Sequence, residues 1–325
     1  MARPKLTMAV SLYDRHVPFF DGTVTVKDID LQVLAVGESN ALRNGLNRHH
    51  RMLADREFDA CEVSLSSYIM AKSQGLPFTA IPVFPRRLFS QSHIWVNVNQ
   101  SIRGPQDLVG RNVGIITFQT TLSVQAKGDL QEEYGVPWRE IRWNVASEEP
   151  IKFSLPKGLT LKQIPKGKKL ARMLEEGEID ALLTPRPPIG IPDGEPKVRR
   201  LFADCRKEEI RYFSKYGFFP IMHVIALKQE SVQRYPSFPV VLTEAFQKAQ
   251  EICQSYYADP NWTTLAWTRH LFEKERELLG GDLWPIGLGG NRHNLERFLG
   301  YLVEQGLLSE TLPLEGLFVD DRSVS

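Results

Sequence analysis

A histidine inside an apolar, strand-like run is the first place in this chain where a side chain could move a proton. The stretch YGFFPIMHVIAL, residues 216–227, sets His223 between Met222 and Val224, with Gly217 and Pro220 punctuating its start. At the mouth of a strand between two lobes an imidazole can trade protons near neutral pH; the competing reading is a hydrogen-bonded core residue. Cations suited to anion capture stand elsewhere. Arg186 sits between Pro185 and Pro187 at a strand exit, Arg15 lies in the polar turn Asp14-Arg15-His16, and Arg86, Arg87, Ser90 and His93 lie close together in the segment PRRLFSQSH, 85–93. A planar guanidinium matches a pair of carboxylate oxygens, although most charged runs are simply solvated. Thr117, Thr120, Thr121 and Ser123 crowd one helix start, where free N–H groups hold anions or where each hydroxyl is only a cap. Ser64, Ser66 and Ser67 open another, directly after the run 58–63 that carries Glu62. The glycine-rich WPIGLGGNR, 284–292, ends in Arg292 and is not a phosphate loop, since it lacks both the GK[ST] ending and a preceding strand.

Alternating elements must position these groups. Residues 6–13, 31–36, 58–63, 78–84 and 94–98 read as strands, with helices over 38–52, capped by Ser39 or Asn40, and over 68–73. This order predicts a largely parallel sheet covered by helices, with ligands bound beyond the strand carboxyl ends. A second unit begins near 102, with strands at 112–116, 140–145 and 179–183, an exposed loop or hairpin at 154–169 and a short helix at 170–177. Long amphipathic helices follow at 238–256 and 263–279 and a final helix at 293–305, and no repeat of fixed period is present. Candidate crossings at 94–98 and 216–224 give two expected lobes, 1–96 plus 219–325 and 97–218.

A chain of 325 residues holds one large or two medium domains. Its 40 basic and 39 acidic residues are spread along the whole length, which leaves no footprint for nucleic acid or an anionic membrane and points to a small-molecule partner. Cys61, Cys205 and Cys253 lie far apart, as expected of a reducing compartment and not of a zinc or iron–sulfur site. Without an H-x-H or H-E-x-x-H pair no metal is expected, and no cofactor is called for. The short apolar run at the N-terminus is too brief for a secretory signal, and nothing reaches membrane-span length. The expectation is a soluble, cytoplasmic protein, with homo-oligomerisation compatible with the sequence.

The order of elements resembles the type II periplasmic-binding-protein fold, an α/β fold of two lobes with a ligand cleft between them and, here, C-terminal helices. The run I-x-x-P-x-D-L-x-G-x-x-V-G-I at 102–115 looks like that fold's usual start of a second lobe. More specific are Tyr13-Asp14-Arg15, FDACEVS at 58–64, Phe219-Pro220-Ile221-Met222-His223, Trp284-Pro285-Ile286-Gly287 and Asn291-Arg292. Spread in order over nearly the whole chain, these resemble the 4,5-dihydroxyphthalate decarboxylase family. Family members tend to carry an Arg-His pair after the aromatic matched by Phe89, where this chain reads Ser90-Gln91-Ser92-His93, and an Arg-Gly pair where it has Lys127-Gly128.

The resemblance implies loss of carbon dioxide from a hydroxylated aromatic dicarboxylate, which needs a proton delivered to the ring carbon. His223 is the first candidate donor and His93 the second, with Glu62 taking the phenolic proton if its surroundings raise its pKa. Arg15, Arg87 and Arg186 are candidate clamps for the retained carboxylate, with Arg292 a further cation, and Ser64, Thr120 and Thr121 candidates for the remaining oxygens. The alternative from another class is a non-catalytic binding protein for a small aromatic or dicarboxylic acid.

Overall fold

A computed structural model of the protein describes residues 3–159, 161–188 and 197–319. Strand β1 (Lys5–Val10) leads to helix α1 (Val17–Phe20), β2 (Asp30–Ala35), α2 (Arg48–Leu53), β3 (Ala60–Ser64), α3 (Leu65–Ser73) and β4 (Phe78–Arg87). Next come β5 (Ile94–Asn97), β6 (Asn112–Ile115), α4 (Thr121–Tyr134), β7 (Arg142–Val145), β8 (Leu161–Gln163) and α5 (Leu170–Glu175). Then follow β9 (Ala181–Leu183), β10 (Val198–Arg200), α6 (Cys205–Tyr216), β11 (Ile221–Lys228), α7 (Gln229–Arg234), α8 (Phe238–Tyr256), α9 (Thr268–Leu279) and α10 (Arg292–Glu304).

The chain forms two compact units. Among the described residues, one takes those up to Arg86, His223–Leu295 and those from Leu312 on; the other takes Arg87–Met222 and Glu296–Thr311. The first unit's sheet runs β2-β1-β3-β11-β4, with β1 parallel to β2 and β3, and β11 antiparallel to β3. Leu6, Met8 and Val10 alternate on one face of β1, as period two requires, and pack with Ile225 and Leu227 of β11 and with Phe238, Leu242, Ala245, Phe246 and Ala249 of α8. Each large side chain so buried contributes about 1.5–3 kcal/mol, so this apolar layer fixes the register of the strands above it. The second unit's sheet runs β10-β5-β9-β6-β7-β8, and Trp95, Leu170, Met173, Leu174, Leu182 and Val198 form one of its cores. Among the described residues no helix is long and apolar enough to cross a membrane.

Two local differences from the sequence expectation matter for the site. The helix expected over 38–52 is only α2: Leu42 bridges Gly45, the Gly37 N–H donates to the Gly45 carbonyl, and Asn47 takes a left-handed φ of 62° just before Arg48. Asn44-Gly45 is a turn dipeptide inside an otherwise helical pattern, and it won. Residues 85–87, expected in a loop, extend β4, so that Arg86 and Arg87 point to opposite faces.

Candidate active site

Every residue of β3 is buried, so a carboxylate on it must be paired. Register sets Ile225 opposite Glu62 and His223 opposite Ser64. Opposed residues share a face, and residues two apart return to it, so Glu62, Ser64 and His223 continue the face that carries Ala60, Ile225 and Leu227. The diagonal pair meets: His223 Nδ1 lies 2.5 Å from Glu62 Oε1. Glu62 Oε2 accepts the Ser11 N–H at 2.9 Å, and the Tyr13 hydroxyl donates to Oε1 at 3.3 Å.

Behind the carboxylate stands Arg48, the first residue of α2 and fully buried. Its Nη2 faces Glu62 Oε1 at 3.2 Å as an ion pair, its Nε donates to the Glu62 carbonyl at 2.7 Å, and its Nη1 donates to Ser11 Oγ at 2.8 Å and to the Val36 carbonyl. Ser11 and Val36 directly follow β1 and β2. The cluster therefore occupies the carboxyl ends of three parallel strands, the usual ligand position in open α/β sheets. His49, the next residue of α2, sets its ring centroid 5.1 Å from that of His223 at an interplanar angle of 84°. Arg86 Nη1 approaches the Tyr13 hydroxyl at 3.5 Å.

Burial alone would raise the Glu62 carboxyl, but Arg48 and His223 outweigh it and hold it well below the usual carboxylate range. For His223 burial wins over the pull of Glu62, and the imidazole is pushed down to about 4. Burial likewise lowers His49, with His223 and Arg48 adding to it, and takes His16, held at Nδ1 by the Ser11 carbonyl, to about 4. Stability should therefore fall on acidification. Above the unfolded histidine value of 6.5 neither state is charged; below it the unfolded chain binds protons that the folded one refuses until about 4. Each such histidine costs up to about 1.4 kcal/mol per pH unit in that window. Glu62 adds a further loss below 4.5, since its folded value is depressed. Urea midpoints at pH 7, 5.5 and 4 measure this, and a flat series would mean that the imidazoles take up protons in the folded protein as readily as in the unfolded chain.

Of the residues singled out in the sequence, Glu62, Ser64 and His223 meet here. Glu62 lacks the raised pKa that accepting a phenolic proton would need, because Arg48 stabilises its charge. Arg15 is engaged nearby: its Nε donates to the Pro85 carbonyl at 2.8 Å, its Nη1 pairs with Asp14 at 3.1 Å, and its guanidinium lies 4.2 Å and 4.3 Å from the ring centroids of Tyr13 and Trp284. Arg292 pairs with Glu315 at 2.7 Å on an exposed face. In the second unit, buried Arg87 donates to the Phe219 carbonyl at 2.8 Å, and His93 Nδ1 lies 3.1 Å from the Thr184 carbonyl. Thr120 Oγ1 lies 2.6 Å from Thr117 Oγ1, Thr121 is buried, and Arg186 is exposed. Sequence reasoning passed over Arg48, His49 and Glu38, while Tyr13 entered through the family resemblance and Arg86 only as one cation of the segment 85–93. Among the described residues no group of three or more His, Cys, Asp or Glu side chains is arranged to hold a metal ion.

No family model matches the chain. Over 327 aligned residues it is 32% identical to the 4,5-dihydroxyphthalate decarboxylase of Comamonas testosteroni, which covers 98% of this chain and 97% of that one. The chain belongs to the 4,5-dihydroxyphthalate decarboxylase family. A relative of the same name from Pseudomonas putida is 30% identical over 211 residues, 63% of this chain and 79% of its own. Among solved structures, the chain is similar to the periplasmic aliphatic sulphonate binding protein SsuA of Escherichia coli, with a TM-score of 0.53, 11% identity and 99% of both chains covered. It is also similar to the desulfurization enzyme DSZB, with a TM-score of 0.51, 12% identity and coverage of 99% of this chain and 98% of that one. At such identities the likeness is one of fold, and the fold is the α/β type II periplasmic-binding-protein kind.

This member's two departures from the 4,5-dihydroxyphthalate decarboxylase pattern have packing explanations. Ser90, where the family tends to have arginine, donates its hydroxyl to Asp129 at 2.7 Å. Lys127, also at an arginine position, is fully buried, with Nζ donating to the Phe118 carbonyl at 3.0 Å and lying 2.9 Å from that ring's centroid. Burial pushes its ammonium well below the ordinary lysine range. Gly128 is needed beside it because a Cβ there would come within 2.5 Å of the Tyr301 ring.

Proposed function

We propose that this chain is a non-oxidative decarboxylase of a hydroxylated aromatic dicarboxylic acid, with 4,5-dihydroxyphthalate as the substrate and protocatechuate as the product. The observation that supports this most is the buried dyad of His223 and Glu62 at the carboxyl end of the first sheet, in a chain of this family. In 4,5-dihydroxyphthalate each carboxylate is para to a hydroxyl, whose electron donation makes the carboxyl-bearing carbon basic. His223 protonates that carbon, and the dearomatised ring then expels carbon dioxide. With Glu62 already accepting from Ser11, Tyr13 and His223 and paired with Arg48, its part is to hold Nδ1 and aim Nε2. Incubation with 4,5-dihydroxyphthalate tests the reading: carbon dioxide and protocatechuate support it. A thermal shift without product would leave a binding protein in its place.

An imidazole pushed down to about 4 holds no spare proton at pH 7, so the donor must be charged by the substrate itself. A dicarboxylate placed beside His223 adds negative charge, which favours the imidazolium. Binding should therefore take up a proton. Phthalate, which has no hydroxyls to support the reaction, should bind more tightly as pH falls from 7 to 5, by up to about tenfold per unit for one proton taken up. Calorimetry in buffers of different ionisation enthalpy reads the proton directly. A dissociation constant independent of pH would show that the anion does not reach His223.

A further inference from the structure

The site holds a second imidazole built like the first. His223 is gripped at Nδ1 by Glu62 at 2.5 Å; His49 has Glu38 at its Nδ1 at 3.3 Å, and the other Glu38 oxygen accepts the His49 backbone N–H at 2.7 Å. A carboxylate at Nδ1 fixes the proton there and leaves Nε2 as a lone pair. His49 Nε2 is buried and has no hydrogen-bond partner. Leaving a buried acceptor unpaired costs about 1–3 kcal/mol, a penalty that a ligand hydroxyl would remove. The rings of His49 and His223 stand nearly perpendicular with centroids 5.1 Å apart, close enough for one aromatic ligand to meet both.

Resting on the decarboxylase reading, we infer that His49 is the base that accepts the phenolic proton while His223 delivers the ring proton. The surroundings divide the two roles. Besides Glu38, the groups facing His49 are Arg48 on its own helix, His223 on β11, Glu62 on β3 and Arg86 on β4. Burial and all of these except the carboxylates disfavour a charge on His49, so it meets the substrate neutral. His223 has the closer carboxylate and is the better placed to carry a proton in.

The steps balance. The His223 Nε2–H proton forms a C–H bond at the carboxyl-bearing carbon as the para hydroxyl gives its proton to His49 Nε2, leaving a neutral dienone. The bond to the carboxylate then breaks, carbon dioxide leaves, and the electron pair restores the aromatic ring as a phenolate. The phenolate takes its proton back from His49, and solvent reprotonates His223, so one proton is consumed per turnover.

The test compares kcat, KM and pH profile for the parent, His49→Gln, His223→Gln and Glu38→Gln on 4,5-dihydroxyphthalate. His49→Gln should lower kcat about a hundredfold at pH 7 with KM little changed. That deficit should shrink as pH rises toward the range in which phenols ionise unaided, about 10, because the variant then gains phenolate, whereas His223→Gln should instead lose the alkaline fall in kcat that a charged donor gives the parent. Glu38→Gln keeps the imidazole but loosens it, so it should show a smaller deficit with the same pH trend, and it carries the test if His49→Gln does not fold. A His49→Gln or Glu38→Gln enzyme with the parent's rate and profile overturns the assignment, as does a deficit that is the same at every pH. In those cases the decarboxylase reading stands; a parent that releases no carbon dioxide overturns both.

Discussion

His223→Gln should lose at least about a hundredfold in turnover while keeping its fold and most of its affinity for the substrate. Glutamine retains much of the volume of the imidazole, and its amide can donate to the Glu62 oxygen that now accepts from Nδ1 at 2.5 Å. What it lacks is a group that picks up and releases a proton. General acid catalysis contributes on the order of a hundred- to ten-thousandfold, and a loss of that kind falls on kcat with little change in binding. If His223 served only to fill its place on β11, the pattern would be reversed. Replacement would then cost at most some stability, through imperfect packing around the glutamine, and leave each folded molecule as active as the parent. Melting temperature, ligand affinity and turnover measured on the same variant distinguish the two, and a destabilised but fully active variant would end the catalytic assignment.

Glu62 and His223 were legible in the sequence because each is a polar residue inside an apolar strand run, where a side chain that cannot be solvated must have a partner. Their pairing was not. It depends on an antiparallel register between β3 and β11, strands separated by some 160 residues, and no periodicity within either run encodes it. Arg48 and His49 were harder still. They sit in NRHHR, 47–51, which reads as the solvated face of a helix, and only the turn at Asn44-Gly45 shows that the chain is doubling back toward the strand ends. In a loop Arg86 and Arg87 are equivalent neighbours, and nothing in the sequence chooses between them. In a strand the two alternate, and it is Arg86 that approaches Tyr13.

Arg48→Met should be the most destabilising single change at this site. The guanidinium is wholly buried and answers four groups at once: the Glu62 carboxylate, the Glu62 and Val36 carbonyls and Ser11 Oγ. Methionine fills part of the volume but leaves the Glu62 charge buried without its cation, a loss that typically costs 3–5 kcal/mol. The pH dependence identifies the cause. In the parent, the depressed Glu62 carboxyl contributes stability above 4.5 that is lost as pH falls through its folded value. Without Arg48 burial raises that carboxyl instead, so protonation relieves the strain, and the gap between parent and variant should be widest at neutral pH and close on acidification. Adding Glu62→Gln to Arg48→Met removes both charges and should recover much of the stability, as replacing both members of a buried pair usually does, but not the activity, since nothing then steadies His223 in its charged form. Urea unfolding of the parent, both single variants and the double variant at pH 7 and pH 4.5 gives the coupling directly. Equal deficits at the two pH values, or a double variant no more stable than Arg48→Met alone, would show that Arg48 acts through its carbonyl contacts and packing and not through the charge on Glu62.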